Sequence, residues 1–504
     1  MDLFGNLAIG FGAILTPGNL FYCFLGAALG TMIGVLPGMG PLVTIALLLP
    51  FTFSLDPLSA LIMLSGIFYG AQYGGSTTAI LVNLPGEESS IVTTLDGHQM
   101  ARQGRAGQAL AAAAISSFFA GCVATVVIGL AAPVLSQLAF RFGPAEYFSL
   151  MVFGLVASVV LAHGSLLKAV GMVVLGLMLG TIGTDIQSGI QRYTFGVPAL
   201  ADGVHIAAIA MGVFGIGEIV RNLTNEASSS GQVDVRPVER LMLSRDDLKR
   251  MFAPMLRGTL LGALLGVLPG GGALLASFSA YAVEKRISKT PEKFGHGALE
   301  GVAAPEAANN AGAQTSFIPM LTLGIPSNPV MALMISALIV QGIEPGPAVI
   351  TLHPTLFWGV IASMWVGNLM LLMLNLPLVG IWVSLARIRY CYIFPTVVIF
   401  GCIGIYAVTG SAVMIFMLAA FGVAGYLCRK LDCEPAPMIL GFIIGPMMEG
   451  HLHRALIISQ GDPTIFLKEP VSALMLGCAA SALIAVLLPA IRRTRDEALT
   501  GDES

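Results

Sequence analysis

Apolar runs close to the length of a membrane span recur along this chain, each closed by a polar or Gly/Pro-rich break. A helix needs about 20 consecutive apolar residues to cross a hydrocarbon core. Such runs lie at 107–138, 144–162, 165–183, 393–409, 411–428 and 471–490. The longest polar stretch is 221–250, RNLTNEASSSGQVDVRPVERLMLSRDDLKR, with six basic and five acidic residues. It reads as a linker with a short helix near 243–251. Shorter polar loops lie at 86–106 and 284–298. The pattern predicts an all-α polytopic membrane protein of about 12 spans. Its expected parts are a first membrane repeat at 1–220, a linker at 221–250, a second repeat at 251–490 and a tail at 491–504.

The breaks repeat. LGTMIGVLPGMG at 29–40 is rewritten as LGALLGVLPGGG at 261–272, with Gly30, Gly34, Pro37 and Gly40 matching Gly262, Gly266, Pro269 and Gly272, each 232 positions on. YGGSTTAILVNLPG at 73–86 resembles NAGAQTSFIPMLTLGIPS at 310–327, and FGLVASVVLAHGS at 153–165 resembles FGCIGIYAVTGS at 400–411. Three matches in one order indicate an internal duplication. In a bilayer every backbone N–H and C=O needs a partner, so a Pro-Gly break survives where it is buried in protein or lines a cavity. Paired broken helices mark the binding site of many secondary transporters.

Charge placement orients the halves. The second break is flanked by Arg257 on one side and by Lys285, Arg286, Lys289 and Lys293 on the other, whereas no Lys or Arg precedes Arg102. Positive residues favour the cytoplasm, which puts the linker, the 284–298 loop and the tail there. The second hairpin then enters from the cytoplasm and the first from the opposite face, so inverted repeats with re-entrant helical hairpins are expected. The start of the chain has no basic region of a signal peptide, so its first apolar stretch reads as retained.

Composition narrows the class. The chain has 504 residues, 56% hydrophobic and 11% charged. Soluble domains carry about 25% charge, so this chain cannot clothe a water-soluble surface. The net charge of −3 carries little information, and the seven Cys form no CxxC. They read as small apolar fillers rather than metal ligands or disulfides. No P-loop, HExxH, GxSxG or paired-carboxylate site appears, which argues against ATP-driven transport and against an enzyme.

Chemistry is expected at the breaks. Pro37, Gly38, Gly40, Pro269, Gly270 and Gly272 form the hairpin tips, where carbonyls suit a Na⁺ at Gly38–Gly40 and Gly270–Gly272 and helix starts present N–H donors. Gly74 and Gly75 allow close approach, and Ser76, Thr77, Thr78 and Asn83 supply neutral polar groups. Asn309, Asn310, Gly312, Thr315, Ser316, Ser327 and Asn328 are their counterparts. Such groups suit carboxylate oxygens and Na⁺; they equally suit interhelical packing. Glu306 is a coupling candidate or a polar helix cap. Asp185 and Asp202 read as loop and cap residues, Glu218 and Glu449 as interfacial, and the isolated His163, His205 and His353 as unrelated to metal or proton relay.

At these residues the chain resembles the large membrane subunit of the tripartite tricarboxylate transporters, the TctA family. The resemblance rests on GVLPGMGP (34–41), YGGSTTAILVNLPGE (73–87), LDGHQMARQGRAGQAL (95–110), TFG…DG (194–203), GVLPGGG (266–272), GIPSNP (324–329) and LIISQGDP (456–463). It implies a bacterial inner-membrane secondary transporter for citrate-like tricarboxylates or related carboxylates, driven by an ion gradient, expected to be Na⁺. It also implies two partners: a small, TctB-like membrane subunit of about four helices and a periplasmic, TctC-like solute-binding protein. No nucleic-acid partner and no cofactor beyond the co-transported ion is expected. The site clusters contain no Arg or Lys, so backbone N–H groups, helix dipoles and co-bound Na⁺ would have to balance a trianion. Inverted hairpins suggest elevator-like movement against a scaffold at 107–138, 144–183 and 350–428. Alternatives are a self-sufficient organic-anion carrier or channel, and an intramembrane enzyme built on Glu306 or Asp185.

Overall fold

Two nearly continuous buried helices, each running into a Pro break, form the centre of the molecule. The computed structural model describes residues 3–36, 40–162, 165–185, 187–217, 219–220, 241, 243–270, 272–385 and 390–487. Most of the expected linker and all of the tail, together with Pro37, Gly38, His163 and Glu218, lie outside the described residues.

The first inner helix, Pro57–Val82, starts with Pro57 in its first turn and with the Asp56 side chain accepting from Leu58 N at 3.1 Å. That arrangement satisfies one of the helix's free N–H groups. The helix ends at Asn83, whose φ of 59° is left-handed, just before Pro85. The second inner helix, Glu300–Thr315, continues as Phe317–Leu323 and ends at left-handed Gly324, before Pro326. All residues from Gly301 to Thr315 are buried. A helix hydrophobic or small on every side belongs inside a protein.

Each inner helix carries a broken hairpin. The first consists of Pro17–Gly34 and Pro41–Thr52, the second of Arg245–Leu265 and Gly272–Ile287. The helix expected near 243–251 is the start of a longer one. Ser244 and Asp247 form a reciprocal capping box, and from there the chain runs without interruption into the hairpin. Glycines bring each hairpin onto its inner helix. A Cβ added at Gly26, Gly30 or Gly34 would lie 2.3–2.4 Å from the carbonyl oxygens of Met63, Ile67 and Ala71. At Gly258, Gly262 and Gly266 it would lie 2.2–2.3 Å from those of Ala304, Ala308 and Gly312. The glycines are 232 positions apart and their targets 241 apart (Met63 to Ala304). Both sets advance in the same direction, so each entering arm is parallel to its inner helix.

The two inner helices are antiparallel. Moving up the first from Tyr69 through Gln72 to Ser76 meets, in falling order, Phe317, Asn309 through a shared Ser89, and Glu306. The connecting loops agree. Buried Asp96, in the 86–106 loop after the first inner helix, accepts from Gly295 N, Gly297 N and Ala298 N at 2.7–2.9 Å and from Tyr281 Oη at 2.9 Å. The 284–298 loop precedes the second inner helix, so one helix ends where the other begins. The two hairpins therefore approach from opposite ends of this pair.

Around the centre, the long Ala106–Ala139 helix packs on the second inner helix and Pro354–Asn375 on the first. Leu166–Gly180 lies on Ala436–Ile458, with Gly176 against Met438 O, and Ala412–Lys430 lies on the π-helical Met211–Ile216, with Gly425 against Val213 O. Among the described residues four helices are long and apolar enough to cross a membrane, or five if the 80° bent pair Leu3–Ile14 and Pro17–Gly34 counts as one span. Six further apolar helices have 10–17 residues. Against the dozen spans expected, most apolar segments are thus shortened or broken by Pro and Gly. The chain is a predominantly helical, multi-pass membrane protein with, among the described residues, one two-stranded sheet, Gly183–Thr184 with Gln191–Arg192.

Candidate functional site

The crossing of the inner helices holds a buried carboxylate. Glu306 is 1% exposed, although it sits in a helix flanked by Ala and Asn. Three hydroxyls reach it from three elements. Ser76 Oγ of the first inner helix donates to Oε2 at 2.8 Å, Ser117 Oγ of the long helix donates to the same oxygen at 3.2 Å, and Thr93 Oγ1 of the 86–106 loop donates to Oε1. Asn310 Nδ2 donates to Ser117 Oγ at 2.7 Å, which leaves the Ser117 hydrogen free for Glu306. No cation is among these partners. A small cleft opens here, lined by Tyr73, Ser76, Thr77, Ser117, Glu306 and Asn375, with three apolar residues of the long helix.

A second polar cluster lies one turn away. Ser89 Oγ is within hydrogen-bonding reach of Gln72 Oε1 (3.1 Å), Asn309 Oδ1 (2.6 Å) and Glu87, and Asn309 Nδ2 donates to Glu87 Oε1 at 3.1 Å. The LPGE turn folds Glu87 back over Gly75, where an added Cβ would meet Glu87 Cγ at 2.8 Å. Gly75 is therefore required by this side chain.

The structure divides the residues expected to bind. Ser76, Thr77, Glu306, Asn309 and Asn310 come together. Gly74 packs on Thr31 O, and Gly312 receives the hairpin at Gly266, so both set helix spacing. Thr78, Thr315 and Ser316 give their hydroxyls to carbonyls of their own helices. Asn83 is an exposed helix terminus, Asn328 Oδ1 caps Met331 N at 3.0 Å, and Ser327 O accepts from Gly270 N at 2.8 Å. Pro269 rests near Gly154, and a Cβ at Gly270 would strike Ser158 Cα at 2.6 Å. Gly40 and Gly272 begin the returning arms. The Pro37–Gly38 tip lies outside the described residues.

Sequence reasoning passed over Tyr73, Glu87, Ser89, Thr93, Ser117 and Asn375. The acidic EE after LPG and the paired Ser in an otherwise Ala-rich segment were the available signals. Distant ionisable residues are structural. Ser188 and the Arg192 guanidinium hold Asp185 below the usual carboxylate range, and Arg192 also pairs with Glu449 at 2.7 Å. Lys468 and Thr464 likewise hold Asp462 down. Among the described residues no group of three His, Cys, Asp or Glu is placed to hold a metal ion.

This site lies inside a segment with a recognisable family. The model of the tripartite tricarboxylate transporter TctA family matches residues 20–440. The chain belongs to the TctA family. Both hairpins, both inner helices and the Glu306 cleft fall within the TctA match. The chain is similar to the uncharacterized 52.8 kDa protein of the TAR-I ttuC' 3' region of Agrobacterium vitis, 56% identical over 503 residues and all of both chains. A second protein, from the TAR-II ttuC' 3' region of the same organism, is 56% identical over 242 residues, 48% of this chain and all of the relative. No solved structure matches. Membership places the chain among transport proteins as a tricarboxylate transporter subunit.

Proposed function

We propose that this chain is the large permease subunit of a binding-protein-dependent secondary transporter. It imports citrate-like tricarboxylates or related carboxylates across the bacterial inner membrane on a Na⁺ gradient. The observation that carries this reading is the buried, hydroxyl-ringed Glu306 at the crossing of two antiparallel inner helices, each with its own broken hairpin. A buried membrane carboxylate without a basic partner is expensive unless it serves transport. Duplicated, inverted halves around such a point are the architecture of alternating access.

In this reading the anion is not held by Glu306, which would repel it. It is held where the returning arms start, at Gly40 and Gly272, because a helix start offers free N–H donors and positive dipole. Ser76 and Asn309 lie at the crossing of the inner helices. A TctB-like membrane subunit and a TctC-like periplasmic binding protein complete the system, and the hairpin units move elevator-like against the outer helices.

The test is uptake of labelled citrate into liposomes holding this chain and its small membrane partner, with added binding protein and an imposed Na⁺ gradient. Uptake that needs both, and that Asn309→Ala lowers about tenfold, is the expected result. Uptake without binding protein would establish a self-sufficient carrier instead. Absence of uptake for citrate and for every acid that the binding protein retains would overturn the proposal.

A further inference from the structure

The Glu306 cleft contains two buried polar atoms that no described residue satisfies. Tyr73 Oη and Asn375 Oδ1 are both without a hydrogen-bond partner, in side chains 3% and 6% exposed. The Asn375 amide has a definite orientation, because its Nδ2 donates to Leu371 O at 2.9 Å and also faces Thr31 Oγ1 at 3.4 Å. Turning the amide over would set its oxygen against a carbonyl. Asn375 lines the cleft, and its Oδ1 is the atom left without a partner. Buried polar atoms are nearly always satisfied, so two orphans in one cleft indicate a missing occupant.

The lining specifies that occupant. Tyr73, Ser76, Thr77, Ser117, Glu306 and Asn375 present oxygen atoms, and no lining residue carries a positive charge. Oxygen-only ligands suit a hard cation. A single carboxylate balances one charge, which disfavours a divalent ion. A proton on Glu306 would neutralise it but would leave Asn375 Oδ1 and Tyr73 Oη unsatisfied.

We infer that the Glu306 cleft is a Na⁺ site, ligated by the Glu306 carboxylate, Asn375 Oδ1, Tyr73 Oη and the Ser76 hydroxyl. The inference deepens the proposed function by placing the coupling ion at the inner-helix crossing rather than at the hairpin tips. The ion joins both units: Tyr73 and Ser76 belong to the first inner helix, Glu306 to the second, and Asn375 to the helix packed on the first. Binding Na⁺ neutralises Glu306 and so admits an anion to the same neighbourhood, which gives coupling a physical basis.

The test needs no carboxylate. The full chain is purified in nanodiscs, and radiolabelled Na⁺ binding and melting temperature are measured in NaCl, KCl and choline chloride at equal ionic strength. Wild type should bind Na⁺ saturably and be stabilised by Na⁺ but not by choline. Glu306→Gln should lose binding, and Asn375→Leu and Tyr73→Phe should weaken it at least tenfold. Ser65→Ala, at the position of the first inner helix equivalent to Glu306, should bind as wild type. Should Glu306→Gln fail to fold, the other two variants decide the matter alone. Undiminished Na⁺ binding in folded Asn375→Leu and Tyr73→Phe would overturn the site. So would a wild type indifferent to Na⁺ but stabilised by acid through Glu306, which would make it a proton site. Na⁺ binding intact without carboxylate uptake would overturn the proposed function and leave the site standing.

Discussion

The first and second hairpin units share a backbone and differ in chemistry. In both, three glycines four residues apart seat an entering arm on the carbonyls of a parallel inner helix, and in both that helix ends in a left-handed residue and a Pro break. Along the 241-residue spacing that these contacts define, however, Glu306 stands opposite Ser65, Asn309 opposite Phe68 and Asn310 opposite Tyr69. Ser76 stands opposite Phe317. Apart from the Ser65–Glu306 pair, each unit is polar where its twin is aromatic. Because the helices are antiparallel, the polar stretch of one meets the polar stretch of the other near a common level. The result is one carboxylate cleft rather than two half-sites. Backbone geometry tolerates little change, since close approach leaves no room for a side chain, whereas side chains at the crossing are free to diverge once the frame is set.

The hardest way to break that comparison is through the shared frame. Gly30→Val and Gly262→Val each force a side chain onto a carbonyl 2.3 Å from the would-be Cβ. Both should cost about 3 kcal/mol or more and abolish monodisperse protein. Fluorescence size-exclusion profiles of the two variants would decide whether the units bear load equally; tolerance of one alone would show that they do not. The differing chemistry separates next. Phe68→Ala should lower stability by about 3 kcal/mol, as for a large buried side chain, with transport of the surviving protein retained. Asn309→Ala should leave the melting temperature within a few degrees and reduce uptake about tenfold, the scale of one lost hydrogen-bonding group. Thermal melts paired with uptake assays would test this crossover. The smallest effect belongs to the polar start of the second hairpin. Lys249 and Asp246, 80% and 89% exposed, pair at 3.8 Å. Lys249→Ala should change stability by less than about 0.5 kcal/mol, which a denaturation midpoint would check.

Part of the site was legible in the sequence and part was not. Gly30, Gly34, Gly262 and Gly266 recur at matched spacing, so the two broken hairpins could be read from the sequence, and the structure adds Gly26 and Gly258 to the same contacts. The polar words GGSTT and NNAG, matched to each other in the sequence, lie about one turn out of the register that the Gly–carbonyl contacts define. Those words are neighbours in space. Ser117 carries only a weak local signal, as one of two adjacent Ser in an Ala-rich helix, and Asn375 none: an Asn near the end of an apolar helix looks like an ordinary packing residue.

The sequence by itself determined that the chain lives in a membrane, that its helices break twice at Gly and Pro, and that it belongs with the TctA proteins. Those properties follow from composition, spacing and local backbone preference, each of which a single strand of text records. Only the tertiary structure decided which polar groups face one another. Glu306, Ser76, Thr93 and Ser117 are separated by up to 230 residues, and their convergence depends on antiparallel helices held by Gly–carbonyl contacts and by Asp96. Burial turns those scattered residues into a site, because a carboxylate removed from water must find its compensation nearby.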